Sequence, residues 1–92
     1  MANDAGVKNV DELAQFGQSV KKLGDNMLSA MQQAQRRMNQ VCEGWHDENN
    51  DKFKVQFDES VNTVRRMSEQ FTAYSQYIQK ITAILNSYKN IR

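Results

Sequence analysis

The sequence predicts an all-α fold, an antiparallel two-helix hairpin with its turn near Trp45, dimerising into a four-helix bundle. Three observations carry that expectation. Apolar or small residues recur at steps of three and four on both sides of Trp45, the chain of 92 residues contains no proline, and Gly44 and Asp47 flank the tryptophan with a stop and a start signal for helices. A strand would show alternation, and no such run occurs.

Residues 1–10 have weak periodicity and are expected to form a mobile tail, whose Val7 and Val10 are suited to docking on an apolar surface. Helix 1 is expected over 11–43. Asn9 or Asp11 supplies an N-cap, Glu12 suits the positive end of the helix dipole, and the stripe runs through Leu13, Phe16, Val20, Leu23, Met27, Met31, Ala34, Met38 and Val41. Gly44, just past the last periodic residue, reads as a left-handed stop, leaving a turn over 44–46. Helix 2 is expected over 47–90. Asp47 is its natural cap, with Glu48 and Asp51 adding favourable charge, and Lys80, Lys89 and Arg92 complement its other end. Its stripe continues from Phe53 and Phe57 through Val61, Val64, Met67, Phe71, Tyr74, Ile78, Ile81, Leu85 and Tyr88.

Read this way, residues 1–92 form one helical-hairpin domain with arms of unequal length. Helix 1 would be about 50 Å long, and positions whose numbers sum to about 90 would face each other. Asp25 then faces the Arg65 region, and helix 2 outruns helix 1 beyond Lys80. The overhang carries Ile81, Ile84, Leu85, Tyr88 and Ile91, an apolar density expected of a segment that packs on a partner. Helix 1 supplies a second hint of a partner. Gly17 and Gly24 share one helical column that Met31 continues, and glycine inside a helix costs about 1 kcal/mol relative to alanine, so two in register suggest a close helix approach. Gly17, Val20, Gly24, Met27, Met31, Ala34 and Met38 are accordingly expected to form the dimer interface, where methionine suits an adaptable contact.

Composition narrows the function. Twelve Lys and Arg against eleven Asp and Glu leave a net charge of +1, so no global field draws the chain to nucleic acid or to an anionic membrane. The basic pairs Lys21–Lys22, Arg36–Arg37 and Arg65–Arg66 are spread along the helices instead of forming a patch. No apolar run approaches the roughly 20 residues of a membrane span. Cys42 is the only cysteine, which excludes an internal disulfide, and Met1 to Lys8 lacks the basic, then apolar, then small-residue layout of a cleavable signal. Synthesis in the cytoplasm is expected, with any secretion by a route that accepts substrates without such a signal. His46 lies in the turn without a nucleophile at a convincing spacing, so neither catalysis nor a cofactor is expected. Cys42 and His46, with Glu43 and Asp47 beside them, resemble part of a metal site, but Gly44 interrupts the helix between them and structural zinc takes four ligands.

Two long helices joined through Gly44, Trp45, His46 and Asp47, with Phe53 eight positions after the tryptophan, resemble the WXG superfamily, the early-secreted-antigen-like proteins of type VII secretion. The family has tryptophan, any residue, then glycine in its turn, and a large apolar residue, commonly phenylalanine, at the position of Phe53. Asp47 stands where the family has glycine, and both serve well as a helix N-cap. The small residue two positions later is Asn49. Family members that carry their own export signal have a tyrosine followed four residues on by an acid. Here Tyr74, Tyr77 and Tyr88 are followed at that distance by Ile78, Ile81 and Arg92.

The resemblance implies a hairpin that pairs with itself or with a related partner supplying the export signal. In it Trp45 is structural, its ring covering the end of the bundle and its indole N–H directed to a carbonyl or water. The expected function is that of a non-enzymatic interaction protein, a substrate or co-substrate of a specialised, type VII-like secretion system that contacts the secretion machinery or an effector. A cytoplasmic adaptor or chaperone binding an amphipathic client helix is the alternative.

Overall fold

The computed structural model describes the backbone of residues 2–90 and the side chains of residues 10–88. Two helices account for nearly all of it: α1 (Ala2–Val41) and α2 (Glu48–Asn90), joined by a single 3₁₀ turn, Cys42–Gly44, and a short link through Trp45 to Asp47. The helices pack antiparallel. Gly17 of α1 meets Ser75 and Ile78 of α2, Gly24 meets Ser68 and Phe71, and Gln35 donates a hydrogen bond to Asp58. Ile91, expected in a partner segment, and Arg92, expected to complement the end of helix 2, lie outside the described residues, as does the side chain of Lys89.

Helix α1 is longer than the sequence reading allows. Its backbone is already helical at Ala2, where the periodicity places a tail through residue 10, and Val10 is buried. The rod measures 69 × 18 × 15 Å, about the length that α2 alone reaches at 1.5 Å per residue, so α1 lies beside α2 along nearly its full extent. The overhang therefore disappears. The register that sets Gly17 against Ser75 carries Val10 to Thr82, and both are buried, while Ile81 is half-buried beside them. Ile84, Leu85 and Tyr88 remain exposed, as side groups of a paired helix and not of a free end.

The seam between the helices follows a heptad. On α1 it takes Val10, Gly17, Gly24, Met31 and Met38, and on α2 it takes Val61, Ser68, Ser75 and Thr82, all buried except the half-buried Met31. Small residues meet small residues over the open-ended half of the rod. A Cβ added at Gly17 would lie 2.8 Å from Ile78 Cγ2, and one at Gly24 would lie 3.0 Å from Phe71 Cβ and 3.3 Å from Ser68 Cα. The glycines thus admit the second helix of the same chain. This corrects the expectation that Gly17, Gly24 and Met38 belong to a dimer interface: the close approach is real, but it is intramolecular. Asp25 likewise pairs with Lys21 one turn earlier on α1, at 2.8 Å, instead of with the Arg65 region.

Because the seam is built from small and hydroxylic side chains, little apolar bulk is buried in it. Among the described residues the buried apolar side chains are Val10, Met38, Cys42 and Val61. Replacing Gly24 with leucine is predicted to overpack this seam and lower the stability of the hairpin by about 1–3 kcal/mol, read as a lower urea midpoint. An unchanged midpoint would show that Gly24 does not face α2.

Candidate interaction surfaces

Most of the bulky residues that the seam leaves out fall on one side of the rod. In an antiparallel pair the flank one turn-step before each seam position lies on the same side for both helices. On α1 that flank holds Leu13, Phe16, Val20, Leu23, Met27, Ala30, Ala34, Arg37 and Val41. On α2 it holds Asn50, Phe53, Phe57, Ser60, Val64, Met67, Phe71, Tyr74, Ile78, Ile81, Leu85 and Tyr88. Arg37 is the one charged side chain on this face among the described residues. The other flank is mainly polar, with Asp25, Gln32 and Asn39 on α1 and Asp58, Arg65, Glu69 and Gln76 on α2 beside Leu28 and Val55, and the Gln35–Asp58 hydrogen bond of 2.9 Å crosses the helices there.

Near mid-rod the apolar face opens into a groove of about 400 Å³. Phe16, Val20 and Leu23 form one wall, and Phe71, Tyr74, Tyr77 and Ile78 form the other. Phe71 and Tyr74 stack with centroids 6.1 Å apart. Phe16, Leu23, Tyr74 and Tyr77 each keep more than half of their surface exposed, at 59%, 52%, 53% and 65%. Of the residues expected at a partner interface, Val20 and Met27 are half-buried on this face, Ala34 is exposed on it, and Met31 is half-buried in the seam. Phe16, Leu23 and Tyr74, which belong to the apolar stripes, are its most exposed central members and were expected to pack within the hairpin.

A second cluster forms the turn. Trp45 has an extended backbone, with φ −110° and ψ 101°, and its N–H donates to the Cys42 carbonyl at 3.0 Å, closing the 3₁₀ turn. Gly44 stays right-handed, since no described residue has positive φ, so the left-handed stop is replaced by that tighter turn. The helix consequently ends at Val41 and the link shifts to Trp45–Asp47. Asp47 caps α2: its Oδ1 accepts from the Asn50 N–H at 3.0 Å, and its carbonyl accepts from Asp51 N–H at 3.2 Å. Asn50, which the sequence reading passed over, is buried and its side-chain amide donates back to the Trp45 carbonyl at 2.6 Å. An amide residue three positions after an aspartate cap is the signal that would have found it, as a variant of the capping box.

The tryptophan-to-phenylalanine spacing has a direct structural consequence. Trp45 precedes the cap and Phe53 lies in the second turn of α2, which brings their ring centroids to 6.4 Å, and Phe57 continues the row at 6.0 Å from Phe53. Trp45 and Phe53 remain 41% and 42% exposed, so the rings make a ledge at the tip of the rod and are only partly covered. Cys42, in the 3₁₀ turn, is buried. Among the described residues no three His, Cys, Asp or Glu side chains gather as metal ligands, and no helix is long and apolar enough to cross a membrane.

Compared with family models, with curated proteins and with solved structures, the chain matches none. The resemblance to the WXG superfamily therefore rests on the chain's own turn residues.

Hydrogen bonding holds the Asp47 carboxyl below its ordinary value of 3.8: the Asn50 backbone amide contributes most, then the Trp45 indole, partly opposed by desolvation, with the Asn49 backbone amide adding least. A depressed folded-state pKa means that the carboxylate stabilises the fold above the unfolded pKa and that this contribution is lost as pH falls through the folded one. Asp47→Ala is predicted to be less stable than wild type at neutral pH, with the gap narrowing as both are acidified below the carboxylate range. Urea midpoints across that range measure it, and a gap that persists undiminished at low pH would exclude a role for the charge.

Proposed function

We propose that this chain is a non-enzymatic, WXG-like helical-hairpin interaction protein that works by docking its apolar face on a second hairpin, a copy of itself or a related chain. The one-sided apolar face is the observation that carries the reading. The hairpin exposes 7110 Å², whereas a compact monomer of 10.7 kDa would expose about 5,500 Å². Its radius of gyration is 20.5 Å against about 12 Å for a compact chain of this length. The surplus of roughly 1,600 Å² falls within the range of roughly 1,000–2,500 Å² that each partner gives up in an obligate dimer. Burying that face against a like face completes a four-helix bundle.

The turn is what supports the proposed role in secretion. Trp45 stacked on Phe53, with Asp47 as the cap, supports a WXG-type hairpin exported by a type VII-like system. With no tyrosine followed four residues on by an acid, the chain acts as a substrate or co-substrate whose partner supplies the export signal. Growth of the source organism with and without its secretion ATPase tests this: the chain is expected in the supernatant only when the ATPase is present, and equal amounts in both cultures would contradict it.

The groove between Leu23 and Phe71 favours one competing occupant, the apolar side of an amphipathic client helix. Sedimentation at micromolar concentration separates the two. A dimer is predicted, and Tyr74→Arg, at an exposed position, is predicted to weaken it on the order of tenfold or more while leaving helix content unchanged. A wild-type monomer that binds an amphipathic peptide would favour the adaptor instead.

A further inference from the structure

Independently of the docking reading, we propose that the rod is a clamp carrying a pair of jaws: the half beside the turn holds, and the half from Gly24 and Ser68 outward parts as one unit while the turn stays closed. Seam composition divides the molecule at that point. Outward of it the buried positions are Val10, Gly17 and Gly24 on α1 against Thr82, Ser75 and Ser68 on α2. Carried toward the turn, the same register sets Met31 opposite Val61, Met38 opposite the half-buried Lys54, and Cys42 opposite Asn50. Of the buried apolar side chains among the described residues, Met38, Cys42 and Val61 therefore lie on the turn side, and only Val10 lies outward.

Hydrogen bonding and helix propensity divide the rod at the same place. On the turn side the Gln35–Asp58 bond crosses the helices, Asp47 caps α2, and Asn50 ties the cap to the Trp45 carbonyl. Outward of Gly24 no side-chain hydrogen bond or ion pair joins the helices among the described residues. Ser75 Oγ is buried there with no partner, and an unpaired buried hydroxyl opposes closure. Asn50 Oδ1 is unpaired too, but its amide is bonded and the turn tethers it. Gly17 and Gly24 also weaken α1 as a helix in the outer half. Chain connectivity fixes the order of events: parting the jaws leaves no new loop, whereas opening the turn side with the jaws shut would leave a long one to be closed. The apolar groove lies wholly between the jaws, with Phe16, Val20 and Leu23 on one and Phe71, Tyr74 and Ile78 on the other. The angle between the jaws thus sets its width.

Native-state amide hydrogen exchange on the full chain tests the two-part rod. Amides of residues 17–24 and 68–75, well inside the helix ends, should share one opening constant about tenfold or more above that of residues 31–41 and 54–61. One constant for all four segments would overturn the proposal. Exchange that rises residue by residue toward the ends with no shared step, the pattern of plain fraying, would also overturn it. Two variants add a check. Asp47→Ala should speed exchange on the turn side by about fivefold and leave the jaws unchanged, since they part with the cap intact; equal acceleration of both halves would mean a rod that opens all at once. Ser75→Ala should slow the jaws by about fivefold or more by removing the unpaired hydroxyl. Ser19→Ala, exposed on α1 in the same half, reads the gain in helix propensity alone, and an effect equal to that of Ser75→Ala would contradict the part assigned to Ser75.

Discussion

The approach of α1 to α2 through Gly17 and Gly24 governs the rest of the molecule. Where both sides of a helix seam are glycine and serine, the backbones come so close that no large side chain fits between them. Phe16, Leu23, Phe71 and Tyr74, which a wider seam would have enclosed, are displaced to the flank. Since the displaced flanks of two antiparallel helices fall on the same side, the result is a rod with one apolar face and one mainly polar face. A narrow seam and an open apolar face are the same fact seen from two sides.

The turn obeys a separate logic. Three residues satisfy the backbone between the helices: Trp45 closes the 3₁₀ turn, Asp47 caps α2, and Asn50 ties the cap to the tryptophan carbonyl. Aspartate suits the position after His46 because that position is the N-cap of α2. The Trp45, Phe53 and Phe57 row then stiffens the tip at little expense of buried area. It continues the apolar face to the end of the rod.

Helix periodicity, the absence of proline and the aspartate cap were sufficient to read the hairpin and the place of its turn. They were insufficient to say which neighbour each face meets. The glycine column signals close contact and makes it with the chain's own second helix, whereas Phe16, Leu23 and Tyr74 of the heavy stripe stay exposed on the hairpin. Periodicity records that a face is apolar, not what covers it, and a seam of small residues leaves the larger stripe with no place inside a two-helix structure. The start of α1 was missed because Ala2 to Val10 carries too few large apolar residues to show a period. The right-handed Gly44 was missed because a 3₁₀ turn and a left-handed stop use the same residue.

The hairpin's own seam buries little apolar bulk, so in the proposed pairing the fold and the covering of its apolar face would be thermodynamically linked. The thermal midpoint measured over a hundredfold or so range of protein concentration tests that link most directly. A midpoint that climbs steadily with concentration is what a face-to-face pair of hairpins requires. A midpoint that stays constant across the series would mean that the lone hairpin is self-sufficient, and the account would fail.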